Sequence, residues 1–124
     1  MHCSENGIER RMAEPAQPWK PGDATQIINR IVRDPSCRFS YTVHVKERMA
    51  ERNIVMSDLL FALKNGNVYD IPTEADQSTI PGYYKYKVEC QTPNSGSRTL
   101  RVVAVPDSKS CQIKVITIMW RDES

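Results

Sequence analysis

The chain has 124 residues, 26% of them charged, and a formal net charge of +2. That length suits one domain with a single modest core and excludes two. The near-balanced charge excludes a globally basic nucleic-acid binder, so any such surface must be a local patch. No apolar run approaches a membrane span, and residues 1–19 hold no signal-peptide core, so a cytoplasmic protein is expected.

Met1 to Gly22 is polar, charged and broken by Pro15, Pro18 and Pro21. It shows no period and reads as a flexible N-terminal arm, 1–22, ahead of a single domain, 23–124. Asp23 is positioned to cap a helix from Ala24 to about Arg33, with Ile27, Ile28, Ile31 and Val32 on one face. Asp34-Pro35 ends it. Thr42 can cap a second helix, which closes at Asn53, a residue that tolerates the left-handed conformation. Ser57 is expected to cap a third, from Asp58 to about Lys64, that buries Leu59, Leu60 and Leu63 and stops at Asn65-Gly66.

Beyond Gly66 the period changes to two. Asn67 to Ile71 reads as a short strand and Pro72 to Gly82 as a polar loop. From Tyr83 to Gln91, Tyr84, Tyr86, Val88 and Cys90 fall on one face and Lys85, Lys87 and Glu89 on the other. Pro93-Asn-Ser-Gly96 is a hairpin loop. Arg98 to Val105 is apolar on much of both faces, as a central strand would be, and Gln112 to Trp120 is the last strand. Short connections favour an antiparallel meander. The expected fold is therefore α+β: N-terminal helices followed by a four-stranded antiparallel sheet.

Cys3, Cys37, Cys90 and Cys111 have no metal-ligand spacing and read as scattered thiols. Phosphate-cradling glycine loops, zinc signatures and paired-carboxylate clusters are likewise missing from the sequence, so neither metal nor cofactor is expected.

The sharpest chemical feature is His44, Arg48 and Arg52 at i, i+4 and i+8 of the second helix. At about 100° per residue they form one stripe beside the apolar edge set by Val45 and Met49. An imidazole able to donate or accept a proton, next to two permanently charged phosphate-matching forks, would suit RNA cleavage without metal. Ordinary surface ion pairing accounts for the same spacing, since Glu47 and Glu51 follow His44 and Arg48 by three residues. Arg101, in the central strand, needs a partner or an open cleft. It either faces the helix stripe as a third phosphate contact or snorkels on the solvent face. Thr117 is an ordinary strand residue whose hydroxyl, turned to a cleft, could bind phosphate or orient His44. Tyr86 with Lys85 and Lys87 offers an aromatic–basic RNA-binding cluster, unless the tyrosine packs in the core.

The segment His44-Val-Lys-Glu-Arg48-Met49-Ala-Glu-Arg52-Asn-Ile54 resembles a bacterial family of uncharacterised domains marked by a helix H-A-x-x-R-M-x-x-R-G-I. Asp58 to Gly66, Asn67-Val68, Arg101-Val-Val and Val115-Ile-Thr117-Ile follow in that family's order, so the resemblance spans roughly Phe39 to Trp120. Val45 and Asn53 depart from it. That family resembles the barnase/RelE-like small RNases, among them suspected toxins of bacterial toxin–antitoxin pairs. The resemblance implies a site of His44, Arg48, Arg52, Arg101 and Thr117, with RNA as substrate and an antitoxin protein as partner. The expectation is a metal-independent, mRNA-cleaving endoribonuclease with His44 as acid or base. The alternatives are a non-catalytic protein-interaction or inhibitor domain on the same fold, and a nucleic-acid binder without chemistry.

Overall fold

Pro21 opens the first helix, α1 (Pro21–Arg33). Its ring presets a helical φ, and the N–H it lacks is one the first turn would leave unpaired. The helix thus starts three residues before the expected Ala24, with Lys20 rather than Asp23 at the N-cap position. The computed structural model describes residues 15–74 and 83–123. The stretch just ahead of α1, read from sequence as the end of an arm, belongs to the fold. Trp19 is 3% exposed and stacks on Tyr86, ring centroids 5.4 Å apart. Residues 1–14 of the expected arm lie outside the described residues.

After α1 comes a strand the sequence reading lacked, β1 (Arg38–Tyr41). Helix α2 (Val43–Arg52) follows at once. The Thr42 side chain caps it by accepting the Val45 N–H at 3.2 Å, and Asn53 closes it at φ 57°, ψ 41°, both as the sequence predicts. Helix α3 (Met56–Asn65) begins earlier than expected, at a Val55 N-cap rather than Ser57. Gly66 ends it for reasons of space: a Cβ there would lie 2.5 Å from the Ala62 carbonyl oxygen and 2.8 Å from Val88 Cγ1.

The strands β2 (Asn67–Val68), β3 (Thr73–Glu74), β4 (Tyr84–Cys90), β5 (Leu100–Asp107) and β6 (Gln112–Trp120) follow, with a short 3-10 turn at Arg121–Glu123. Among the described residues the fold is a mixed α+β arrangement of three helices and a six-stranded, mostly antiparallel sheet. Its order is β1-β6-β5-β4-β2, and β3 continues the β4 edge beyond β2. The expected count of four strands is corrected on two grounds. The stretch read as one strand to Ile71 stops at Val68 and resumes as β3 inside the expected loop. And β1 pairs in parallel with β6, from Arg38 opposite Gln112 to Tyr41 opposite Val115. Four residues give no period strong enough to be read in advance, and a parallel edge strand has no hairpin to announce it.

The helices cover one face of the sheet. Ala24, Ile27, Ile28 and Ile31 of α1, Val45 and Met49 of α2, and Leu59, Ala62 and Leu63 of α3 form the core with Tyr86, Val88, Leu100, Val102, Ala104, Ile113, Val115, Ile118 and Trp120. Strict alternation along β6 would put Val115, Thr117 and Met119 on the same face. The register breaks instead: Ala104 pairs with Val115 and Val103 with Thr117, so Ile116 is an extra residue, a β-bulge. Ile118 and Trp120 thereby turn into the core, and Thr117 turns to the other face.

Candidate functional site

The face of the sheet opposite the helices carries the residues that alternate with the core set: Lys85, Lys87 and Glu89 from β4, Arg101, Val103 and Val105 from β5, and Lys114, Thr117 and Met119 from β6. Five cations of the chain thus meet on or beside this face once Arg121, just past β6, is included.

Two clefts open there. The first, about 400 Å³, is lined by Tyr69, Asp70, Glu89, Arg101 and Arg121. Glu89 is 8% exposed and directly opposite Arg101; its Oε2 accepts the Arg101 Nε–H at 2.8 Å, and its Oε1 lies 3.8 Å from Arg121 Nη1. A buried carboxylate needs such partners, and the pairing uses Arg101 Nε. The second cleft, about 260 Å³, is lined by Ile71, Thr73, Lys85, Lys87, Val103, Ile116 and Thr117. Among the described residues neither lysine has an acidic partner in salt-bridge range. The bulge at Ile116 is what brings the Thr117 hydroxyl to this side.

Arg101, Thr117, Lys85 and Lys87 are therefore gathered on one surface. Tyr86 is not among them. It is fully buried on the core face, where its hydroxyl accepts the Trp19 backbone N–H at 3.0 Å and donates to Gln17 Oε1 at 3.2 Å. Its RNA-binding assignment is corrected on that ground: residue 86 falls on the opposite side of the pleat from 85 and 87. Burial pushes its phenol up to about 12.

The helix stripe lies elsewhere and lines none of the clefts described above. The His44 side chain is 67% exposed, with Nδ1 3.9 Å from Glu47 Oε1. Arg48 Nε is buried without a hydrogen-bond partner. Arg52 Nε donates to both Glu123 oxygens, at 3.0 and 2.7 Å, and its Nη1 to Glu51 Oε1 at 3.2 Å. Glu123 in turn accepts the Trp120 N–H at 2.7 Å. That backbone donor, and then Arg52, hold its carboxyl below the usual range. Arg52 thus ties α2 to the turn that ends β6.

In the first cleft, Glu89, Arg121, Tyr69 and Asp70 are the residues the sequence reading did not single out. Glu89 had a signal, since it shares its face with Lys85 and Lys87. The others had none, because the link after β2 and the 3-10 turn carry no period. Among the described residues no group of three or more His, Cys, Asp or Glu side chains could hold a metal ion. No helix of the described residues is long and apolar enough to cross a membrane.

No curated protein and no solved structure matches the chain. A family profile described as "Domain of unknown function (DUF4258)" matches residues 41–120, from the end of β1 to the end of β6, and so takes in the second cleft, the first apart from Arg121, and the α2 stripe. The chain belongs to that DUF4258 family.

Proposed function

We propose that the protein is a metal-independent endoribonuclease that holds the RNA backbone on the sheet face opposite the three described helices. The single observation that carries this reading is the convergence of Arg101, Lys85, Lys87 and Thr117 in two adjoining clefts on that face. Arg forks match phosphate oxygens in two-point fashion, and lysines add point charge. Hydroxyls such as those of Thr73 and Thr117 can pair with the ribose 2′-hydroxyl. The resemblance to barnase/RelE-like RNases favours RNA cleavage as the activity, and of the site it implies only Arg101 and Thr117 belong to this face.

In this site Glu89, not His44, is the base within the cleft. The 2′-hydroxyl gives its proton to the Glu89 carboxylate, and O2′ attacks phosphorus. The P–O5′ bond breaks, and the leaving oxygen takes a proton from the Lys87 ammonium. The products are a 2′,3′-cyclic phosphate and a 5′-hydroxyl end. Arg101 and Arg121 stabilise the charge that gathers on the phosphoryl oxygens in the transition state. A toxin of this kind would be held inactive by an antitoxin protein covering the same cationic face. His44, Arg48 and Arg52 then serve the fold and the surface of α2.

The test is cleavage of RNA by pure protein in chelator. Glu89→Gln and Arg101→Gln should abolish it, and His44→Ala should retain it. Absence of cleavage by the wild type removes the nuclease reading, and loss on His44→Ala with retention on Glu89→Gln returns the chemistry to the helix stripe. One observation favours the non-catalytic interaction domain as a second reading: Glu89 already neutralises much of the Arg101 charge, as a structural ion pair would.

A further inference from the structure

The two clefts repeat the same combination one step apart. Along β5, Arg101 marks the first and Val103 the second. The two rows run Glu89–Arg101–Met119 and Lys87–Val103–Thr117 across β4, β5 and β6. Two residues of strand put these rows about 7 Å apart, at about 3.4 Å per residue. That step matches the separation of successive phosphates along an extended single strand.

Each cleft also has one large, exposed apolar side chain from the same short link between β2 and β3. Tyr69, 64% exposed, lines the first, and Ile71, 81% exposed, lines the second. They too are two residues apart. Large apolar groups held in water beside cations call for a ligand that is charged on one side and flat and apolar on the other. A nucleotide is such a ligand, and a repeat of the pair calls for a repeat of the nucleotide.

Resting on the RNA reading above, we infer that the two clefts are consecutive nucleotide subsites of one single-stranded RNA track. Arg101 and Arg121 hold one phosphate, and Lys85, Lys87 and Thr117 hold the next. Tyr69 stacks on the base of the first nucleotide, and Ile71 packs against the sugar or base of the second. Recognition follows the backbone and the base faces, so it tolerates many sequences and requires an unpaired strand.

The test uses the full chain and a labelled 2′-O-methyl oligouridylate of four nucleotides, which cannot be cleaved through O2′, with binding read by fluorescence anisotropy across a salt series. The three variants, Arg121→Gln, Lys87→Gln and Tyr69→Ala, all replace exposed side chains, so the fold is kept. Arg121→Gln and Lys87→Gln should each flatten the slope of log affinity against log salt by about 0.7, and the double variant by the sum. Tyr69→Ala should weaken binding about tenfold, and should have no effect on an abasic oligomer of the same length. A slope altered by only one of the two cation variants leaves a single subsite and overturns the inference while the RNA reading stands. A Tyr69→Ala loss equal on normal and abasic oligomers overturns the stacking role. Failure of the wild type to bind at low salt overturns the inference and the RNA reading together, whereas tight binding of duplex in preference to single strand overturns the track alone.

Discussion

Glu89 and Arg101 face each other across β4 and β5, and their 2.8 Å hydrogen bond seats a nearly buried carboxylate at the floor of an open cationic cleft. Stability and ligand binding pull this pair in opposite directions. In Glu89→Gln the Arg101 charge loses its partner, and the protein should be less stable by about 2 kcal/mol. The same change removes the anion that competes with phosphate for Arg101, so RNA affinity should rise. Urea melts and anisotropy on one sample measure both. A parallel loss of stability and affinity would show that the pair builds the cleft without competing in it.

Gly66 is set by space alone, since its φ of −78° suits any residue. The Cβ of Gly66→Ala would meet the Ala62 carbonyl oxygen at 2.5 Å and the Glu89 carbonyl oxygen at 2.9 Å, both backbone atoms that cannot swing aside. Moving α3 off β4 should cost about 2–3 kcal/mol, read as a lower urea midpoint. An unchanged midpoint would show that the helix end can shift freely.

Alkali should unfold the protein for a definite reason. Burial, then Cys111 and Asp34, push the Cys37 thiol up to about 11 from 9.0, and burial pushes the Tyr86 phenol up to about 12 from 10.0. Both pKa values are raised in the folded state, so the unfolded chain releases these protons first. Their stabilising contribution is full below about pH 9 and is lost as pH rises through 11 and 12. Denaturation midpoints between pH 8 and 12 should fall accordingly. Tyr86→Phe should flatten the upper part of that fall, while losing about 1–2 kcal/mol at neutral pH because the Trp19 N–H is left unpaired. An upper limb as steep as in wild type would assign it to another group.

Arg52 is already engaged by Glu123 and Glu51. Arg52→Ala should lower stability by less than about 1 kcal/mol, since such partly exposed pairs are weak, and should leave RNA affinity within twofold. A tenfold loss of affinity would bring the α2 stripe back into the site.

Much of the local structure is written in the sequence. Thr42 and Asn53 mark both ends of α2, and Gln112 and Trp120 bound β6, because caps and period-two runs are local properties. The alternation from Tyr84 to Cys90 also separates Lys85 and Lys87 from Tyr86 correctly. The entry of Trp19 into the core was hidden, since its partner Tyr86 lies 67 residues away.

By itself, then, the chain's pattern determines the three helices of the described residues, the antiparallel hairpins and which side of β4 is cationic, since each depends on neighbours a few residues apart. Only the folded sheet decided what shares a surface. The extra residue Ile116 turns Thr117 away from the core and toward Lys87, and the pairing of β4 with β5 sets Glu89 against Arg101. Register between strands is fixed by the packing of the whole inner face, and a one-residue slip reverses every side chain beyond it.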